Sequence, residues 1–192
     1  MKGSSHVAPV TKIHPQKFAL WIGMTGMVML FAAITSAYIV RRSAGNWQDF
    51  TLPSAFFTST IAIVLSSIVL HLSYKAFVAE KRSLYKTFLV LGFFLGILFV
   101  ILQYQGWLQL NDIGIFVATN QSASFLFLIT GFHIVHVLGG IGALIIALVY
   151  GLNNKYQRPT PRRKLRLELI FTYWHFVDVL WIYLFVFLLA QQ

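Results

Sequence analysis

The chain of 192 residues is 58% hydrophobic and only 10% charged, with a formal net charge of +10 and a mean hydropathy of +0.74. That balance excludes a water-soluble domain of this size and reads as an integral membrane protein. Cysteine is absent, which excludes disulfides, thiolate-held iron–sulfur or copper centres and covalently attached haem.

Residues 1–17, MKGSSHVAPVTKIHPQK, read as a polar cytoplasmic tail, and residues 18–192 as one transmembrane domain. Five apolar runs are long enough to cross a hydrocarbon core of about 30 Å as helices. They cover 18–40, 55–74, 87–104, 124–150 and 169–190. The first is too long for the apolar part of a secretory signal and lacks a small-residue cleavage pattern, so it is expected to stay in the mature protein. All five prolines (Pro9, Pro15, Pro53, Pro159 and Pro161) lie outside the runs, and unbroken rods are predicted rather than the interrupted helices of secondary transporters.

Of the 15 Lys and Arg residues, 13 fall in segments 1–17, 75–86 and 151–168, against 2 in segment 41–54. With five crossings the three basic segments share one side. The positive-inside rule then places the N-terminus in the cytoplasm and Gln192 outside. Topology explains the basic charge better than a nucleic-acid partner does, and the segment KYQRPTPRRKLR is also placed to meet anionic headgroups. Segment 105–122 reads as a long outward connection lying partly in the interface.

Helices surrounded by lipid gain little from hydrophobicity, so close packing at small residues has to hold them together. Gly92 and Gly96 stand four apart in the third run, and Gly139, Gly140 and Gly142 cluster in the fourth. Both groups are assigned to helix packing. The fold class expected is all-α, a polytopic bundle of five transmembrane helices.

Among five acidic residues, Asp178 alone falls deep within an apolar run, FTYWHFVDVLWIYLFVF. An ionised carboxylate there costs roughly 3 kcal/mol on insertion scales, so a partner is expected. His175 lies one helical turn before it, and the preceding run carries His133 and His136 in TGFHIVHVLGG. Those two runs are joined by one loop and run antiparallel, at depths that allow His133, His136, His175 and Asp178 to form one intramembrane polar cluster. Three readings stand for it: a structural hydrogen-bonded network, a proton relay, and a metal site, the last weakened by the lack of a further acidic ligand. A chain holding two haems and a copper alone would need about six intramembrane imidazoles. His6 and His14 lie in the tail and His71 at the end of the second run, and no G-x-S-x-G motif occurs. No catalytic, cofactor-binding or metal-binding residue is therefore assigned.

The blocks TGFHIVHVLGG and YWHFVDVLWIYLF resemble subunit III of the haem–copper respiratory oxidases, in its five-helix form without the first two of seven helices. The likeness extends through WIGMTGMVMLFAAITSAYIV, the pair Ser66 and Ser67, and LGFFLGILFVILQYQGW with Gln103 and Trp107. It implies a subunit of a proton-pumping cytochrome c oxidase in a bacterial cytoplasmic membrane, with no cofactor of its own. Haem and copper would then reside in partner chains. The implied partners are the catalytic subunit I, the donor-side subunit II, phospholipids, a further subunit in place of the missing helices, and a respiratory supercomplex.

Carried over by position, Thr130, Gly131, His133, His136, Trp174, His175, Asp178 and Trp181 match the family. Two departures follow from the same likeness. Gly26 and Met27 stand where the family commonly has Ser-Glu, and Gly106 replaces an acid expected after Gln103, leaving Asp178 as the one intramembrane carboxylate. A quinol oxidase with a similar five-helix subunit is the alternative within the family. A self-standing transporter or proton-conducting bundle is the alternative outside it.

Overall fold

The computed structural model describes residues 14–43, 45, 47, 51–117, 119–153 and 160–191. It holds five helices: α1 (Pro15–Arg42), α2 (Ser54–Val78), α3 (Arg82–Asp112), α4 (Gln121–Leu152) and α5 (Pro161–Ala190). Each contains a stretch long and apolar enough to cross a membrane. Among the described residues no strand occurs, and the chain is an all-α bundle.

The helices outrun the apolar stretches that predict them. Pro15 and Pro161 occupy the first turns of α1 and α5, where a proline lacks only an amide that has no partner in any case. Residues 15–17 therefore belong to α1, whereas 1–13 of the expected tail and 154–159 of the basic segment lie outside the described residues. Glu168, read from sequence as part of a polar connection, sits within α5 and pairs with Lys17 of α1 at 2.6 Å. The long outward connection shrinks as well. α3 continues to Asp112 because Gln103, Gly106 and Leu110 extend its buried stripe, and Gly114, at φ 80°, ends it. There the Ile115 and Gly114 amides donate to Leu110 and Asn111 carbonyls at 2.9 Å. The short α2–α3 turn closes in the same way, with Glu80 at φ 57° taking the left-handed position usually given to glycine.

A single periodicity organises the interior. The buried stripe of α3 is Tyr85, Leu89, Gly92, Gly96, Phe99, Gln103, Gly106 and Leu110, alternating steps of four and three. In α2 the same alternation links Phe56, Ser59, Ile63, Ser66, Leu70, Ser73 and Phe77. Helices repeating every 3.5 residues pack with shallow left-handed crossings, as in coiled coils. α2 and α3 accordingly form a tight antiparallel hairpin. Small residues set their separation: a Cβ added to Gly92 would fall 2.6 Å from Leu70, and one at Gly106 would fall 2.7 Å from Phe56. Polar bonds cross the same seam, from Ser66 Oγ to the Gly92 carbonyl at 2.8 Å and from Gln103 Nε2 to Ser59 Oγ at 2.8 Å.

α2, α3, α4 and α5 close into a ring in which each helix packs on two neighbours, and no close backbone approach joins α2 to α4 or α3 to α5. Two indoles of α5 fill the space between these diagonals. The Trp174 ring lies over two glycines at once, since a Cβ on Gly96 would come within 2.6 Å of it and one on Gly140 within 2.9 Å. Seven residues on, Trp181 is fully buried and meets Phe99 of α3 edge-on at 5.2 Å and His133 of α4 at 4.9 Å. α1 lies outside the ring against α4 and α5, and of its side chains only Phe31, Thr35 and Tyr38 are buried.

Of the glycines assigned to packing, Gly92, Gly96 and Gly140 are pressed against neighbouring side chains, and Gly139 has ordinary contact with the Tyr173 hydroxyl at 3.5 Å. Gly142 has open space where a Cβ would stand, with no heavy atom of a neighbouring helix within 4 Å among the described residues. Gly106 and Gly151 do the work instead, the latter with Tyr85 within 2.8 Å of a hypothetical Cβ. Gly96→Leu and Gly140→Leu are each expected to destabilise the bundle by about 1–3 kcal/mol or to prevent its assembly. Gly142→Leu should stay within about 0.5 kcal/mol. Thermal unfolding in detergent measures all three.

Candidate functional site: polar groups buried in the bundle

Among the described residues the hydrogen bonds and ring contacts of the polar side chains that the sequence singles out fall into two sets, one around His133 and His136 and one around His175 and Asp178. His133 is completely buried on α4 and is enclosed by aromatic rings, with Phe31 of α1 at 6.3 Å, Phe99 at 6.0 Å and Trp181 at 4.9 Å. Neither ring nitrogen of His133 has a hydrogen-bond partner among the described residues. His136, one turn on, uses Nδ1 to donate to the Phe132 carbonyl of its own helix at 2.7 Å and stacks edge-on against Phe31 at 5.7 Å. Its backbone carbonyl accepts from the Tyr173 hydroxyl at 3.0 Å, which ties α4 to α5.

The second pair faces α2. His175 Nδ1 is hydrogen-bonded to the Ser67 hydroxyl, and its ring centroid lies 6.0 Å from that of His71, one turn from Ser67 on α2. Asp178 stands on the buried stripe of α5, only 5% exposed, beside the same Ser67. Its Oδ1 is buried without a hydrogen-bond partner. Helical spacing alone brings His175 and Asp178 to one side, and Ser67 anchors that side to α2. Among the described residues no hydrogen bond joins this pair to His133 or His136.

Two further bonds stitch the ring together at its polar positions, and a third ties α1 to it. Trp181 Nε1 donates to Thr60 Oγ1 at 2.9 Å, Trp107 Nε1 donates to Thr130 Oγ1 at 3.1 Å, and Thr35 and Tyr183 share a hydrogen bond at 3.1 Å. Sequence reasoning placed Ser67 and Thr130 only through a likeness and His71 only at a helix end. The seven-residue row Ser59, Ser66 and Ser73 of α2 does not point to them, since it faces α3, where it meets Gln103 and the carbonyls of Gly92 and Tyr85. In lipid, such a row of small polar residues marks the face turned to protein.

Among the described residues no group of three or more His, Cys, Asp or Glu is placed to hold a metal ion. The arrangement is a polytopic helical membrane protein whose buried polar groups bond mainly between helices. The sequence profile of the family described as cytochrome c oxidase subunit III matches residues 46–190. The chain is similar to cytochrome c oxidase subunit 3 of Corynebacterium diphtheriae, 26% identical over 97% of this chain and 93% of that protein. It is similar also to the probable cytochrome c oxidase subunit 3 of Mycobacterium bovis, 28% identical over 95% and 94%. The probable quinol oxidase subunit 3 of Staphylococcus haemolyticus is likewise 28% identical, over 88% of this chain and 85% of that one. The chain belongs to the cytochrome c oxidase subunit III family and is a third subunit of a terminal oxidase.

Removing one of the cross-ring bonds tests their worth. Thr60→Val keeps the shape beside Trp181 and deletes its acceptor. A loss of about 1 kcal/mol is expected in detergent unfolding, in line with interhelical bonds in membranes, and Thr60→Ser should restore most of it.

Proposed function

We propose that this chain is a non-catalytic scaffold which packs on the haem–copper catalytic subunit of a proton-pumping oxidase in a bacterial cytoplasmic membrane. In this reading it stabilises that subunit, holds lipid and assists proton uptake, while haem, copper and the donor site belong to subunits I and II. The N-terminus lies in the cytoplasm and Gln192 outside, as the distribution of Lys and Arg supports.

The observation that carries the reading is the α2–α5 face. Asp178 keeps a buried carboxylate oxygen without a hydrogen-bond partner among the described residues, His175 is only half-buried and His71 is exposed. Polar groups left in that condition at membrane depth are stabilised by a neighbouring protein surface rather than by acyl chains. A partner helix that supplies a hydrogen-bond donor beside Asp178 satisfies them. α1, attached along one side only, leaves room for another subunit where the family's first two helices would stand.

Cytochrome c is the donor in this reading. Equal identity to a protein named as a quinol oxidase subunit favours neither donor by itself, and mass spectrometry of the intact complex decides by identifying the donor module. Purification of the tagged chain is expected to bring haem absorption with it, whereas a stable haem-free homo-oligomer would refute the scaffold reading. Asp178→Asn is expected to weaken retention of the catalytic subunit in detergent, or to shorten sustained turnover, more than Lys164→Gln does. Unchanged retention and turnover would show that the carboxylate has no role in attachment.

A further inference from the structure

One level of the bundle carries a polar side chain from each of the four ring helices: Ser59 and Thr60 of α2, Gln103 of α3, His133 of α4 and Trp181 of α5. The Ser59 and Thr60 hydroxyls donate to the Phe56 carbonyl at 2.9 and 2.7 Å, which leaves each free only to accept from the helix opposite. Thr60 accepts from the Trp181 indole, and Ser59 accepts from Gln103 Nε2. The Ser59 bond thus fixes the orientation of the amide. Gln103 Oε1 is then an acceptor, buried with no hydrogen-bond partner among the described residues. The register of α3 and α4 sets His133 across from it. Phe99, one turn before Gln103, meets the His133 ring at 6.0 Å, and Trp107, one turn after, donates to Thr130 at 3.1 Å. Gln103 and His133 therefore stand at one height, both on buried stripes and both fully enclosed. A neutral imidazole has one N–H to donate and one nitrogen to accept, and neither ring nitrogen of His133 is used. An unmatched acceptor on α3 thus faces an unmatched donor and acceptor on α4, with no direct bond between them.

Buried polar groups in that condition are commonly bridged by ordered water. We propose that one enclosed water molecule joins Gln103 Oε1 to a ring nitrogen of His133, completing a hydrogen-bonded chain from Ser59 of α2 through Gln103 of α3 to α4. Water suits the position because it donates to the carboxamide oxygen and can still either donate to or accept from the imidazole. Other occupants fit less well. Both side chains are fully buried, and Phe31 of α1 packs against His133 at 6.3 Å, which keeps a side chain of another subunit out. An acyl chain offers no hydrogen bond, and among the described residues no group of three ligating side chains stands there for a metal ion. Polar side chains that must meet their partners at one level hold the helices that carry them to one rotation and register, which apolar contacts in lipid do weakly. Neither Gln103 nor His133 enters the attachment reading, so the two can fail separately.

The test uses the purified oxidase complex containing the full chain, imaged by electron cryo-microscopy at a resolution that shows ordered solvent. Wild type should show one solvent peak within about 3.2 Å of both Gln103 Oε1 and a ring nitrogen of His133. Gln103→Leu deletes the acceptor and should lose that peak. A peak that persists in Gln103→Leu, a direct bond between the two side chains, or no peak in wild type overturns the bridge. Should Gln103→Leu fail to assemble, water-edited solid-state NMR of the wild-type complex with isotope-labelled histidine replaces it. Transfer from water protons to the His133 ring nitrogens that is faster than to the buried backbone amides of α4 supports the site. Transfer no faster than to those amides overturns it.

Discussion

The bundle depends on the seating of two tryptophans from α5 in the middle of the ring. Trp174 fits because Gly96 and Gly140 have no side chains to occupy its volume, and Trp181 fits between Phe56, Phe99 and His133 while its N–H finds Thr60. Within a membrane the apolar surface of an indole gains little by moving from lipid to protein. What holds both is dispersion over a closely matched surface, to which Trp181 adds its bond to Thr60, whereas the Trp174 Nε1 is buried with no hydrogen-bond partner among the described residues. Through these two side chains a single helix reaches every other member of the ring, including α3, whose backbone it does not approach.

The same constraint sorts the polar residues. A helix that packs by backbone proximity needs glycine, alanine or serine at the seam, and serine can also bond to a facing carbonyl, as Ser66 does with Gly92 and Ser73 does with Tyr85 at 3.1 Å. The interior of this chain is therefore rich in small and polar groups, while Ile61, Phe94, Val135 and Val179 point outward. Asp178 and the His175–Ser67 pair extend that logic to the α2–α5 face, where Oδ1 of the carboxylate has no hydrogen-bond partner among the described residues. The attachment surface proposed above draws on the same requirement, that polar groups at membrane depth find protein partners.

Much of the fold was legible in the residues. Apolar run lengths announce five helices, and the YWHFVDVLWIYLF block points to the buried aspartate and to the family. The ends of the helices were harder to read, since hydropathy stops at Tyr104 or begins at Leu169 although the hydrogen-bonded rod does not. Polar residues such as Gln103 and Glu168 sit comfortably in helical turns once a neighbouring helix supplies Ser59 or Lys17. The expected four-residue polar cluster rested on the last two runs being neighbours and on depth, which places Asp178 and His136 within a turn or two of each other. Neither ground speaks of rotation about the helix axis, which turns His175 to Ser67 of α2 and His133 to the aromatic centre.

Sequence by itself determined the solvent, the number of helices and the family, because these follow from run length, composition and short specific motifs that need no partner to be recognised. Only the tertiary structure decided which face of each helix is inside. In lipid the outward and inward faces are almost equally apolar, so no hydrophobic period distinguishes them. The seven-residue row of serines on α2 can be read from the residues, but that Gly96 and Gly140 hold Trp174 and that Gly106 holds Phe56 is seen only once the helices are set side by side.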